Sequence, residues 1–336
     1  MQSRRCGTMR SMTERGDEGV LRLIGGTSLV PLRRLCTGLP GLVWAKCEHL
    51  SPGGSIKDRI ALAIIDDAEA RGILTPGRGM TLIEATAGNT GIALALVAAV
   101  RGYRLVCVMP EKMSVDKRQA LRALGAEVRI TENAPPESAK NFRNVVDRLA
   151  AEHGWFCPDQ FRNPANPEVH ERETGPEIWT QTLELAGAPV AAFVAGAGTG
   201  GTITGVARYL RRMRDDLRVV LADPQGSGLA DWAESGVYGP DGTYAVEGIG
   251  GTVAPTNLDR HLIDSARRIS DEQSFATARR LIREEGLLCG GSSGTNVAAA
   301  LELAASGEID GPIVTVLCDS WDRYRTRSWI TEPGCT

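Results

Sequence analysis

At 336 residues, with 42% hydrophobic and 24% charged side chains and 39 glycines, the chain has an ordinary globular composition and is long enough for two packed lobes. A formal net charge of −3 leaves no excess of either sign to suggest a nucleic-acid or membrane-surface partner. No apolar run approaches the ~20 residues of a membrane helix. Eight cysteines without a Cys-x-x-Cys pair, beside four histidines, give no metal-ligand spacing.

The first eighteen residues are polar, carry Arg4, Arg5, Arg10 and Arg15, and lack the apolar core of a signal peptide. They read as a disordered leader, with Met9 and Met12 as further candidate starts. Beyond them, short apolar runs rich in β-formers alternate with amphipathic stretches. The pattern predicts strands over 41–47, 81–84, 104–109, 127–130, 191–195, 219–223 and 313–318. It predicts helices over 58–71, 90–101, 115–124, 139–153, 174–185, 201–214, 271–285 and 296–305. Such alternation implies an α/β fold of mostly parallel, twisted sheets flanked by helices on both faces. Cys107, Cys289 and Cys318 lie in apolar surroundings and read as buried thiols, as in a reducing cytoplasm.

Lys57 stands in Gly53-Gly54-Ser55-Ile56-Lys57-Asp58-Arg59, at the start of the first predicted helix, and is one of only five lysines against 33 arginines. Small neighbours and the positive end of a helix dipole favour its free amine, which can form a Schiff base with a carbonyl cofactor. Taken alone, it reads better as a surface lysine on an exposed first turn. Ser55 and Asp58 form a capping-box-like pair, and Ile60, Ile64, Ile65 and Ala68 make an apolar stripe ending at Gly72.

Glu84-Ala85-Thr86-Ala87-Gly88-Asn89-Thr90-Gly91 joins a strand to a helix, and a loop of small and hydroxyl residues there suits an anion such as a substrate carboxylate. Ala195-Gly196-Ala197-Gly198-Thr199-Gly200-Gly201-Thr202-Ile203-Thr204-Gly205 joins another strand to another helix and has the composition of a phosphate cradle. It also fits the dinucleotide fingerprint through Gly196, Gly198 and Gly201, with Asp223 ending the next strand. Thr199 and Thr202 suit a terminal phosphate monoester instead. Gly290-Gly291-Ser292-Ser293-Gly294 reads as a Gly/Ser turn whose Ser292 can meet a heterocyclic nitrogen. Leu317-Cys318-Asp319-Ser320 ends the last strand, where open α/β sheets place their sites, and adds Asp319 to the cofactor-binding candidates.

In their order these segments, with Glu247-Gly248-Ile249-Gly250, resemble the pyridoxal-phosphate enzymes of fold type II, and among them the cysteine synthases and the catalytic core of cystathionine β-synthases. Asp159-Gln160-Phe161-Arg162-Asn163-Pro164-Ala165-Asn166-Pro167 and Thr174-Gly175-Pro176-Glu177-Ile178-Trp179 extend the resemblance, which covers roughly 21–327. It implies two lobes, a smaller mobile one over 47–159 and a larger cofactor-binding one over 19–46 and 160–330, and usually a homodimer. It implies pyridoxal 5′-phosphate held by Lys57, which doubles as acid–base at Cα. Asn89 is implied at the ring hydroxyl, Gly198, Thr199, Gly200, Gly201 and Thr202 at the phosphate, and Ser292 at the pyridine nitrogen. Thr86, Ala87, Gly88, Thr90, Gln160 and Gly248 are implied on the substrate side. The implied reaction is β-replacement on serine, O-acetylserine or O-phosphoserine through an aminoacrylate, with sulfide or a thiol as nucleophile.

The chain departs from the family pattern at Ala87, where a serine is usual, and at Gly26, Ser28, Gly251 and Trp321. Three alternatives stand beside the main reading. They are an amine nucleophile giving a 2,3-diaminopropionate-type product, a dinucleotide-dependent oxidoreductase, and a non-catalytic binding relative.

Overall fold

The computed structural model describes residues 19–86, 88–111, 113, 115–135, 137–240 and 242–331. Among them the strands are β1 (Leu29–Pro31), β2 (Val43–Lys46), β3 (Thr81–Ala85), β4 (Arg104–Pro110), β5 (Glu127–Thr131), β6 (Ala192–Ala195), β7 (Arg218–Pro224), β8 (Ser265–Ile269) and β9 (Ile313–Val316). The α-helices are α1 (Lys57–Ala70), α2 (Asn89–Arg101), α3 (Val115–Ala123), α4 (Phe142–His153), α5 (Ala165–Val169), α6 (Gly175–Ala186), α7 (Gly201–Met213), α8 (Leu229–Ser235), α9 (Asp271–Arg280), α10 (Gly291–Ser306) and α11 (Ser328–Thr331). The chain divides into two compact units, residues 19–24 with Lys57–Ala165, and Gly25–Ile56 with 166–331.

The first unit is built on a parallel sheet in the order β3-β4-β5. Period-two alternation sends Leu82, Leu105 and Cys107 to one face, where they pack with Leu62, Ile65, Leu94 and Val97 of α1 and α2. Ile83, Val106 and Val108 point to the other, against Val146 and Leu149 of α4. A sheet apolar on both faces is what a parallel sheet between helices requires. Leu21 and Ile24 join the first of these cores, so 19–24 belongs to this unit. The end of α1 is tied to the end of α2, where Arg101 Nη2 meets Asp66 Oδ1 at 3.0 Å and the same guanidinium also pairs with Glu69.

The second unit carries a six-stranded sheet ordered β1-β2-β9-β6-β7-β8, parallel throughout except for β1, which runs antiparallel to β2. The same alternation places Trp44, Phe193, Val219, Leu221, Val314 and Val316 in one core. Val43, Ala45, Val194, Val220, Ala222 and Ile313 lie in the other, under α10. The segment 47–56, expected in the smaller lobe, belongs here. His49 N donates to Leu317 O at 3.0 Å, Ile56 N donates to Cys318 O at 2.9 Å, and Ser55 bridges Asp319.

Several local expectations change. The helix α1 opens at Lys57, and Ser55 just before it is engaged with Asp319 as a strand-like bridge. The Gly/Ser run at 290–294 is not a turn, because α10 begins at Gly291. Its glycines serve packing. A Cβ on Gly294 would lie 2.0 Å from Ser274 O and one on Gly291 2.8 Å from the Phe275 ring, so α10 seats on α9 closer than any side chain permits. Strand β8 is hidden in the sequence by its polar text, Ser-Ala-Arg-Arg-Ile, which an edge strand tolerates. Cys107 and Cys289 are buried, whereas Cys318 is half-buried.

Glu84 is an exception to the apolar rule inside the first unit. It is buried, with 4% of its surface exposed, and its Oε2 has no partner among the described residues. Burial, with Asp159 adding to it, pushes its carboxyl up to about 8, against the pull of the Ala85 and Asp159 backbone amides and Arg143. The folded state therefore holds a proton that the unfolded chain releases at the ordinary carboxylate value. Stability is fully present below that value and is lost as pH rises through about 8.

Two outcomes follow from this packing. Urea unfolding at about pH 5.5 and about pH 8 should show a loss of stability with rising pH that Glu84→Gln largely removes; an unchanged pH slope in that variant would refute the assignment. Gly205→Ala should cost about 2 kcal/mol or more, because its Cβ would sit 2.1 Å from Pro167 O. An unfolding midpoint equal to wild type would contradict the packing.

Candidate active site

In the second unit the loop between β6 and α7 is shaped by close backbone approach. Gly196 N donates to Asn296 Oδ1 at 2.7 Å, and Gly250 N donates to Ala197 O at 2.8 Å. A Cβ on Gly198 would stand 2.1 Å from Gly248 O, so the carbonyl of Gly248 packs directly behind the loop. Gly200, at the N-cap of α7, has φ +80°, a left-handed conformation that favours glycine. No side chain caps α7, which leaves its first N–H groups facing outward from the helix end. The result is a concave strip of backbone donors flanked by Thr199 and Thr202, with the positive end of a 13-residue helix behind it.

Two residues to which the sequence assigns no role stand behind that strip. Asn166 Nδ2 donates to Thr199 Oγ1 at 3.0 Å, and His170 Nε2 lies 3.2 Å from Thr202 Oγ1. Both belong to the Asn-Pro-Ala-Asn-Pro and His-Glu-Arg-Glu-Thr text, where nothing in spacing or composition marks a contact 32 or 33 residues away.

Ser292 lies in the first turn of α10. Its neighbour Ser293 accepts the Cys318 N–H at 2.9 Å, whereas the Ser292 hydroxyl has no protein partner among the described residues. Asp319 lies beneath the turn that opens this helix. Its backbone O accepts the Gly290 N–H at 3.0 Å and its Oδ2 accepts the Tyr324 hydroxyl at 2.7 Å. Arg323 holds the turn before Lys57. Its Nη1 donates to Gly54 O at 3.0 Å, and its Nη2 donates to Gly53 O. Arg323 is a third neighbour of the candidate residues that the sequence does not mark, since 269 residues separate it from Gly54.

In the first unit Lys57 is the opening residue of α1 and is half-buried. Asn89 opens α2, whose N-cap Gly88 provides no side-chain cap. Thr86 Oγ1 accepts the Gly88 N–H at 3.4 Å. Thr90 Oγ1 donates to Gln160 Oε1 at 2.7 Å, so two of the proposed carboxylate groups meet although 70 residues separate them. Asp159, before Gln160, is the one non-glycine residue among those described with positive φ, at +46°. Ala87 lies outside the described residues.

The dinucleotide alternative loses its acidic residue. Asp223 is fully buried, and its Oδ2 accepts the Ala230 N–H at 2.8 Å, turned into α8 rather than toward a ribose. The strip fits the phosphate of pyridoxal phosphate instead. Its glycines leave the backbone bare, its two threonines add hydroxyls, and the uncommitted Ser292 hydroxyl suits a ring nitrogen.

Relatives agree with this chemistry. The sequence profile of the family described as pyridoxal-phosphate dependent enzyme matches residues 20–319. The chain is 44% identical to cysteine synthase 2 of Neurospora crassa, over 93% of this chain and 73% of that one. It is 44% identical to cystathionine beta-synthase of Apis mellifera, over 92% of this chain, and spans only 60% of that protein. It is 40% identical to a cysteine synthase of Staphylococcus aureus, over 93% of this chain and 97% of the other. The solved structure of O-ureido-L-serine synthase superposes with a TM-score of 0.83 at 38% identity, covering 94% of this chain and 96% of that one. The chain therefore belongs to the family of pyridoxal-phosphate dependent enzymes.

Proposed function

We propose that the protein catalyses β-replacement on an L-serine-type donor, with sulfide or a thiol as the nucleophile. The observation that carries this reading is the Ser292 hydroxyl, left uncommitted at the start of α10. A neutral hydroxyl at the pyridine nitrogen, in place of a carboxylate, does not force that nitrogen to hold a proton. A moderated electron sink favours departure of a β-substituent over racemisation or transamination.

Bound pyridoxal phosphate supplies the electron sink that makes the donor's Cα proton acidic. Lys57 Nζ is the amine that would hold the cofactor's carbonyl carbon. The same amine, once free, would take the Cα proton of the donor and return it, one group serving twice. Thr86, Gly88, Thr90 and Gln160 hold the donor carboxylate, aided by the uncapped start of α2. Asn89 serves the ring hydroxyl, and Gly198, Thr199, Gly200, Gly201 and Thr202 bind the phosphate. Cysteine synthases and cystathionine beta-synthases among the relatives support sulfide or a thiol. A second reading, an amine-type nucleophile, stands beside it; the likeness to O-ureido-L-serine synthase, whose name describes an oxygen-linked β-substituent, supports a nucleophile other than a thiol. The protein acts as a homodimer in the cytoplasm under this proposal.

Purified protein should be yellow, and Lys57→Ala should abolish covalent attachment and at least 10³-fold of kcat. A colourless wild type that takes up no pyridoxal phosphate would sink the proposal. Serine, O-acetylserine and O-phosphoserine, each paired with sulfide, homocysteine and simple amines, should yield a new β-substituted amino acid for one pairing; no product from any pairing would remove the substrate class. Ala87→Ser should tighten donor binding about tenfold through one added hydrogen bond to a charged group. An unchanged donor Kd would exclude that position from the carboxylate site.

A further inference from the structure

Asn166 and His170 are fully buried, and each meets one hydroxyl of the strip that opens α7. A threonine hydroxyl has one proton to give and two lone pairs to receive with. When its oxygen accepts a bond from behind, its proton is left to point forward. Asn166 Nδ2 does this for Thr199 Oγ1 at 3.0 Å. His170 is placed to do the same for Thr202 Oγ1 at 3.2 Å, while its Nδ1 lies 2.9 Å from Thr174 Oγ1.

We propose that Asn166 and His170 are positioning residues that commit the Thr199 and Thr202 hydroxyls to donate to the cofactor phosphate. This rests on the reading that 198–202 holds that phosphate. The direction of the histidine chain follows from the ligand. A phosphate dianion accepts the Thr202 proton, so His170 Nε2 must donate to Thr202, and Nδ1 then accepts from Thr174. The relay runs Thr174 to His170 to Thr202 to phosphate, and each bond polarises the next. Phosphate binding thus fixes one tautomer of a buried imidazole.

The geometry around the relay is close-packed. A Cβ on Gly201 would lie 1.9 Å from Asn166 Oδ1, and one on Gly205 would lie 2.8 Å from His170 Cβ. The first two turns of α7 therefore press directly against 166–171. Thr174 is also fully buried, which leaves no exposed group at that end of the chain of bonds. His170–Thr174 is a π-type segment, a distortion frequent at functional sites.

The test compares pyridoxal 5′-phosphate with pyridoxal, which lacks the phosphate, in titrations of cofactor-stripped protein. His170→Phe keeps the ring's bulk and removes its nitrogens. It should weaken pyridoxal 5′-phosphate about tenfold or more and leave pyridoxal unchanged. His170→Gln, which restores a donor near the Nε2 position, should recover most of the loss. In a Thr202→Val background His170→Phe should add nothing further. Equal losses for both ligands, no loss at all, or additive losses with Thr202→Val would overturn the proposal. If Thr199→Val and Thr202→Val both retain full pyridoxal 5′-phosphate affinity, the phosphate-strip reading fails first, and the proposal with it. Should the variants not fold, nitrogen NMR of the wild-type holoenzyme decides. With four histidines in the chain, the His170 ring can be assigned; an Nε2–H tautomer supports the relay and an Nδ1–H tautomer refutes it.

Discussion

Backbone approaching where no side chain fits is the constraint on which the second unit depends. At Gly198, Gly201 and Gly205 a single added carbon would fall between 1.9 and 2.1 Å from a neighbouring oxygen. Those contacts bring the start of α7 and the loop before it against Asn166 on one side and Gly248 on the other, and they leave N–H groups bare at the helix end. Gly291 and Gly294 repeat the device at the start of α10, which sets Ser292 in its first turn. The cradle is defined by missing atoms as much as by the groups that line it.

Buried charge is the second theme, and it is handled in two ways. Lys46 of β2 is fully buried yet surrounded: Glu177 Oε2 at 2.7 Å, Thr27 O at 2.5 Å and Gln181 Oε1 at 2.9 Å. Glu177 also accepts the Gly26 N–H at 3.0 Å, so the network fastens 26–27 to α6. Such a pair offsets much of its own desolvation cost and contributes mainly by fixing which segments meet. Glu84 takes the other route. With two backbone donors, a guanidinium nearby and a neighbouring carboxylate, it retains its proton instead.

Most of the fold was legible because both sheets are apolar on both faces, which makes β3, β4, β6, β7 and β9 near-continuous apolar runs. The edge strand β8 carries no such signal, and with its two arginines it was missed for that reason. The start of α10 was missed because helix propensity argues against Gly-Ser-Ser-Gly, while tight seating on α9 overrides it. The glycine-threonine strip at 198–202 was readable as a local motif. Its supports were not: Asn166 and His170 meet it across 33 and 32 residues, and Arg323 and Tyr324 likewise reach Gly54 and Asp319 only in the folded chain.

The crowding at the glycines also divides the chain by evolutionary freedom. Substitution at 198, 201 or 205 collides with backbone or buried amide atoms, so these positions have almost no viable neighbours in sequence space. Gly251 is different, since a Cβ there would meet only Val253 O, at an ordinary 3.5 Å. A side chain at position 251 can therefore be taken up without disturbing the strip at 198–202. That strip tolerates no added carbon, and change is channelled to positions where an extra carbon has room.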